Sequence, residues 1–233
     1  MVKITYTSEY ARLNPLYTFF DNENTAILLE WKSQALLFDS DGGEYVAFLG
    51  DDIEYDAGAM TSGTIHEIIF KNPDGENEAR ITGLDADAAE LSNVWSGGGG
   101  MHAVVETVFA GNDRIKGANQ GEWIEGYGGK DRIDGRGGDD WILGDEGRDR
   151  LTGGKGADYF IFYPGAGNDT IVDFDADGGE GRQDFINVAT VLDFDIVRDG
   201  KDTLLIYGDG DVIRLLDVRR SHVTFEGDFV TIN

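Results

Sequence analysis

The sequence predicts an all-β protein in which a central parallel β-roll is flanked by a β-rich N-terminal unit and an antiparallel C-terminal cap. Three observations carry that expectation. A nine-residue repeat runs without a gap from Val108 to Ile161. Short, β-prone apolar runs separated by Gly, Asn and Asp clusters precede it, and Asp-Gly turn signals separate further runs after it. The segments so defined are 1–107, 108–172 and 173–233.

The N-terminal segment places apolar runs at Ala26–Trp31, Ala35–Phe38, Tyr45–Leu49, Thr64–Phe70 and Ala79–Leu84, each bounded by turn-forming residues. Asp85–Val94 and His102–Phe109 read as short helices, the second leading into the roll. Over residues 1–107 there are 19 acidic and 5 basic side chains.

The repeats read VFAGNDRIK, GANQGEWIE, GYGGKDRID, GRGGDDWIL, GDEGRDRLT and GGKGADYFI. Position six is Asp113, Glu122, Asp131, Asp140, Asp149 and Asp158; position eight is Ile115, Ile124, Ile133, Ile142, Leu151 and Phe160. A flexible linker has no reason to keep an acid and an apolar residue in phase through six copies. A three-residue strand centred on position eight turns that side chain inward, because neighbours on a strand alternate between faces. The other six positions form a turn, where glycines at positions one, two and four allow positive φ and close backbone packing. Two repeats complete one coil, and coils stack about 4.8 Å apart as parallel strands do.

Stacking sets each position-six acid over the one two repeats on, giving the pairs 113/131, 122/140, 131/149 and 140/158. Like charges that close need a cation between them. Turn carbonyls free of strand pairing add to a set of hard oxygens suited to Ca²⁺ rather than to Zn²⁺ or Cu²⁺, with Mg²⁺ disfavoured by its tightly held water. The whole composition agrees: 45 acidic against 19 basic residues give a formal charge of −26, and no cysteine is present. Disulfides and thiolate metal sites are thereby excluded, and nucleic acid and anionic membrane surfaces are repelled.

These repeats resemble the RTX, or haemolysin-type, calcium-binding family, whose nonapeptide is G-G-x-G-x-D-x-U-x. The resemblance implies one ion between turns two repeats apart, held by two Asp side chains and by turn carbonyls. One such site would use Gly126, Gly128, Asp131, Asp145, Gly147 and Asp149, and another Gly135, Gly137, Asp140, Gly154, Gly156 and Asp158. Gly129, Gly138, Gly144 and Glu146 complete the candidate turn ligands, with Asp113 and Glu122 at the start of the column. The first two repeats depart from the pattern, with Val108 and Phe109 in glycine positions, Gln120 at position four and Glu122 in place of Asp.

After a two-residue offset, Gly165, Gly167 and Asp169 form a seventh, displaced turn that could complete a site with Asp149. The following order, Ile171-Val-Asp173-Phe174 and then Asp184-Phe-Ile186, is similar to the C-terminal cap of serralysin-type modules. Asp173, Asp175, Asp177, Gly178 and Asp184 also fit a D-x-D-x-D-G loop with an acid at its twelfth position, read either as a separate Ca²⁺ loop or as a solvated acidic loop. Beyond it, Asp199-Gly200 and Asp209-Gly210 mark hairpin turns between Phe194–Val197, Thr203–Tyr207 and Val212–Leu216, strands expected to cover the open edge of the roll. The ending Asp228-Phe-Val-Thr-Ile-Asn233 resembles the C-terminal signal of type I secretion substrates. With no apolar h-region in Met1–Tyr10 and no bilayer-length apolar run, export through a type I secretion apparatus is the expectation.

Catalytic motifs are sparse. His66-Glu67 opens like a zinc-protease helix, but Phe70 occupies the second histidine position of H-E-x-x-H, and there is no G-x-S-x-G. Residues Phe48–Tyr55 and Thr61–Ile65 resemble the N-terminal part of some RTX proteins, which implies no activity. The expectation is therefore a secreted, extracellular, calcium-binding protein without catalysis, serving a structural or adhesive role. The alternatives are an extracellular carbohydrate-binding module and a polysaccharide-active enzyme using residues 1–107. Extracellular polysaccharide and cell-surface matrix are the partner classes; the sequence does not specify the oligomeric state.

Overall fold

The computed structural model describes residues 3–6, 26–31, 34–38, 45–56, 59–71, 74, 77–95, 100–175, 183–188, 194–219, 223–226 and 229–232. The chain divides into two compact units, Met1–Ala110 and Gly111–Asn233. Most of the described residues are in strands, as expected of an all-β chain.

In the first unit, β1 (Lys3–Tyr6), β2 (Ala26–Trp31), β3 (Gln34–Phe38), β4 (Tyr45–Asp56), β5 (Ala59–Lys71) and β6 (Asn77–Asp87) form an antiparallel sheet in the order β1-β6-β5-β4-β3-β2. β4 and β5 run well beyond the apolar stretches read from sequence, because they pair with each other past Asp51 and Thr64 as a long, irregular ribbon. The buried positions of β5 are Met60, Ile65, Ile68 and Phe70. The change of parity between Ile65 and Ile68 coincides with a register shift against β6, as a bulge requires. α1 (Ala88–Val94) follows β6 directly, with the Asp87 carboxylate accepting from the Glu90 N–H at 2.9 Å as its N-cap. α2 (Gly100–Val108) follows, and Leu91, Val104, Val105 and Phe109 are buried in the unit's core with Phe48, Ile53 and Ile81.

The second unit is the roll. β7 (Arg114–Lys116), β10 (Arg132–Asp134) and β13 (Arg150–Thr152), from alternate repeats, pair in parallel with an offset of eighteen residues; β8 (Trp123–Glu125), β11 (Trp141–Leu143) and β14 (Tyr159–Ile161), from the other repeats, do the same in a second sheet. The turns stack as well, with β9 (Gly128–Gly129) pairing in parallel with β12 (Glu146–Gly147). All six position-eight side chains are at most 1 % exposed, so two files of aliphatic and aromatic groups fill the roll. At about 1.5–3 kcal/mol for each buried side chain, this column is the apolar driving force for coiling.

Both sheets continue past the repeats. β15 (Asn168–Ile171) adds to β13 and β16 (Phe185–Asn187) to β14, both in parallel, which buries Ile171 and Ile186 completely in the same columns. β17 (Phe194–Asp199), β18 (Asp202–Tyr207) and β19 (Asp211–Leu215) form the expected antiparallel meander, but β19 joins β15 in parallel. The cap thus prolongs the roll's own pairing before reversing direction. On the second sheet, β20 (Val223–Glu226) and β21 (Phe229–Ile232) form a hairpin, and β21 lies antiparallel to β16.

Candidate metal centres in the roll

The position-six acids lie inside the turns. Asp113, Glu122, Asp131, Asp140, Asp149 and Asp158 are all at most 3 % exposed. In each stacked pair the later carboxylate accepts, through Oδ1, the backbone N–H of the earlier acid: Asp131 from Asp113, Asp140 from Glu122, Asp149 from Asp131 and Asp158 from Asp140, at 2.7–2.9 Å. The pairs read from sequence are therefore brought together. Two further acids extend the columns, Asp169 accepting from Asp149 N–H at 2.9 Å and Asp184 from Asp158 N–H at 3.0 Å.

The second oxygen of each acid creates the demand for a cation. Oδ2 of Asp131, Asp140, Asp149, Asp158 and Asp169, and Oε1 of Glu122, are buried with no hydrogen-bond donor. Burying a carboxylate costs several kcal/mol unless a partner compensates. Burial pushes the Asp140 carboxyl up to about 8, with the nearby Asp158 and Glu122 charges adding to it. Burial likewise raises Asp131, Asp149, Asp169, Asp184 and Glu122 to about 7, and Asp158 to about 6. The neighbouring Asp169 and Asp145 charges add to the rise at Asp149.

The glycines show where these oxygens converge. A Cβ built on Gly126 would lie 2.8 Å from Asp131 Oδ2 and 2.7 Å from the carbonyl of Gly144, and Gly135 meets Asp140 Oδ2 and the Gly153 carbonyl in the same way. Position one is glycine because a carboxylate and a carbonyl of the next coil crowd its Cα. Its φ is not positive, so of the two reasons read from sequence, positive φ and close packing, only close packing applies at this position. Position four does need positive φ, at Gly129, Gly138, Gly147 and Gly156. Position two needs it as well, yet holds Tyr127 (66°), Arg136 (70°) and Asp145 (61°), so three turns carry backbone strain of about 1 kcal/mol or more each. Gly154 meets the same demand without that cost.

One expectation about the turns is revised. Several turn carbonyls are engaged between coils: Tyr127 accepts from Glu146 N–H, Gly129 from Arg148, Arg136 from Lys155, Lys155 from Gly138 and Ala166 from Gly147. Stacked tight turns carry N–H donors that need acceptors as much as strands do. Gly128, Gly137, Gly165 and Gly167 lie in these same stacked turns, with Gly137 bridging to Lys155 and Gly147 to Gly167. Glu146 is exposed, and Asp145, half-buried, has its carboxyl raised to about 6 by burial.

The acidic loop after the roll is divided. Both oxygens of Asp173 accept backbone N–H groups, from Gly153 and Gly154 at 3.0 Å, and Asp184 Oδ2 accepts from Asp175 N–H at 2.7 Å. Asp173 thus ties the loop to the start of the sixth repeat, while Asp184 is the position-six acid of an eighth turn. Asp177 and Gly178 lie outside the described residues. The sequence signal for Asp184 was the triplet Asp184-Phe-Ile186, which repeats the acid-x-apolar end of the nonapeptide. Sequence reasoning also missed Asp211, whose carboxylate accepts from the N–H groups of Gly165 and Gly167 and holds the displaced turn in place.

Among the described residues no three His, Asp or Glu side chains gather as a metal cluster. The donor set is instead two carboxylates and backbone oxygens per gap, all hard and anionic or carbonyl in character, which fits Ca²⁺. Elsewhere His66 Nε2 lies 3.0 Å from Asp51 Oδ2 on an exposed surface. No helix among the described residues is long and apolar enough to cross a membrane.

Comparison with known proteins agrees with this chemistry. The model of the RTX calcium-binding nonapeptide repeat (4 copies) matches residues 125–160 and 134–171. A subunit of the Azotobacter vinelandii mannuronan C5-epimerase is similar at 30% identity over 45% of this chain and 70% of that one, with a TM-score of 0.35. The extracellular lipase LipA from Serratia marcescens is similar at 18% identity over 87% of this chain and 30% of that one, with a TM-score of 0.39. No curated protein matches. The ladder of buried acids over residues 125–171 is thus that of the RTX calcium-binding nonapeptide repeat, and such repeats bind Ca²⁺.

Proposed function

We propose that this is an extracellular, non-catalytic protein of structural or adhesive role whose roll is completed by Ca²⁺ after export. The observation that carries the reading is the file of buried carboxylate oxygens without donors at Glu122, Asp131, Asp140, Asp149, Asp158 and Asp169. Asp131, Asp149 and the turn carbonyls between them would hold one ion, and Asp140, Asp158 and their turns another. The ion would supply positive charge to oxygens that the chain itself leaves unpaired. Where free calcium is scarce, the formal charge of −26 opposes compaction and keeps the chain extended enough to export. Outside, sites in the range of about 10⁻⁴–10⁻³ M typical of extracellular modules fill, and binding energy becomes folding energy.

Far-UV circular dichroism of chelator-stripped protein, titrated with Ca²⁺ and with Mg²⁺ as control, tests this. A cooperative gain of β signal with Ca²⁺ alone is expected. A roll fully formed in chelator at neutral pH would overturn the folding switch.

A further inference from the structure

Position five of the repeat separates the two columns of turns. In the first column, which carries Asp131 and Asp149, it holds Lys130 and Arg148; in the second, which carries Asp140 and Asp158, it holds Asp139 and Ala157. The difference reaches the backbone. In the first column the Arg148 N–H donates to the Gly129 carbonyl at 3.1 Å, a main-chain bond across the gap between the third and fifth repeats. At the equivalent place in the second column the Ala157 N–H donates to Asp139 Oδ1 at 3.0 Å instead. The Gly138 carbonyl is thereby left without the donor that engages its counterpart, Gly129.

That carbonyl faces the gap between the fourth and sixth repeats. A Cβ built on Gly156 would collide with it and would lie 3.0 Å from Asp139 Oδ1, so a backbone oxygen and a carboxylate oxygen meet at one point of the turn. The same stacked turns bury Asp140 Oδ2 and Asp158 Oδ2 without hydrogen-bond donors. Beyond burial, the Asp139 charge adds to the rise at both of these carboxyls. In the metal-free chain a further carboxylate here only repels its neighbours, whereas beside a bound cation it attracts. The first column also has an added acid, Asp145 at position two, but its carboxylate accepts the Tyr127 N–H and the Gly129 carbonyl stays engaged.

We infer that Asp139 is a positioning residue for calcium: by taking the Ala157 N–H it keeps the Gly138 carbonyl available to an ion in the Asp140/Asp158 gap, and it brings a third carboxylate to that gap. The Asp140/Asp158 gap therefore fills at lower Ca²⁺ than the Asp131/Asp149 gap, where Lys130 and Arg148 stand at position five. Calcium sites tune their affinity through ligand charge and rigidity, and an added hard oxygen with an added negative charge both strengthen the hold. The inference rests on the calcium-completed roll and concerns the order in which its gaps fill.

The test is a calorimetric Ca²⁺ titration of the chelator-stripped full chain, with circular dichroism recorded on the same samples. Asp139→Ala is expected to weaken one binding step by about tenfold or more, because the Ala157 N–H then turns to the Gly138 carbonyl, with the β signal at saturating Ca²⁺ unchanged. Asp139→Asn, which keeps an acceptor for that N–H, is expected to recover part of the loss. Lys130→Asp, which builds the same acceptor into the first column, is expected to tighten a different step by about tenfold. An Asp139→Ala chain that binds like the parent, an Asp139→Asn chain no better than Asp139→Ala, or a Lys130→Asp chain that gains no affinity overturns the positioning role alone. Should Asp139→Ala not fold, Lys130→Asp still decides the matter. A parent chain that neither binds Ca²⁺ nor folds in it overturns the calcium reading, and this one with it.

Discussion

Replacing Asp140 with asparagine separates the two roles of the ladder. Its Oδ1 accepts the Glu122 N–H at 2.9 Å, a bond the asparagine oxygen can keep. Its Oδ2 is buried without a donor, and the asparagine NH₂ would stand there instead, beside the Gly153 carbonyl that crowds Gly135. Burial raises the carboxyl from 3.8 to about 8. Between those values the folded chain holds a proton that the unfolded chain releases, so this group makes the metal-free roll less stable as pH rises. At about 1.4 kcal/mol per unit, the ceiling of that penalty is roughly 5 kcal/mol at about pH 7.5. Asp140→Asn is therefore expected to stabilise the metal-free roll by part of that amount, about 2–4 kcal/mol, and to weaken Ca²⁺ binding by about tenfold or more. Circular dichroism reads both effects: the pH below which the β signal appears in chelator reports the stability of the metal-free roll, and a Ca²⁺ titration at neutral pH reports the affinity. A variant less stable than the parent in chelator, or one with undiminished calcium affinity, would refute the view that the buried charge is what the ion offsets.

Three further outcomes follow from the same geometry. In calcium-stripped protein the β signal should rise as pH falls from about 8 to about 5, because the ladder acids with carboxyls raised to about 7 take up protons on folding; a signal that falls over this window contradicts the assignment. Gly126→Ala should abolish calcium-induced folding of its coil, since its Cβ would sit 2.8 Å from Asp131 Oδ2, whereas Gly128→Ala, with nothing nearer than 3.9 Å, should be tolerated; equal effects in a calcium titration would show that space is not the constraint. Ile142→Ala, at a completely buried position, should cost about 2–5 kcal/mol in chemical unfolding with Ca²⁺ present, and a cost near zero would mean the column is not a packed core.

How far the sequence could be read depended on whether a signal was periodic. Asp131, Asp140, Asp149 and Asp158 were legible because a coil of two nonapeptides leaves one place for an acid and one for an apolar residue, and any phase slip would expose Ile133 or Ile142. Asp184 was obscured by an insertion: it stands 26 residues after Asp158, where the pairs within the nonapeptides stand eighteen apart and Asp149/Asp169 twenty, so only its Phe-Ile186 neighbours carry the pattern. Strands β2 to β6 of the first unit were visible as apolar runs, but β1 was not, nor was the length of β4 and β5, because polar residues such as Asp51 and Thr64 remain in the sheet by pairing with one another.

The sequence by itself determined the repeat, its phase, the inward apolar file and the hard-oxygen chemistry, since each depends on residue type at a fixed spacing along one chain. Tertiary structure decided what depends on neighbours across coils. It made each Asp Oδ1 a backbone acceptor and left Oδ2 unpaired, gave the position-one glycines a steric rather than a conformational purpose, and engaged turn carbonyls expected to be free. It also set Arg114, Arg132 and Arg150 side by side, because parallel stacking with an eighteen-residue offset turns separated positions into adjacent ones.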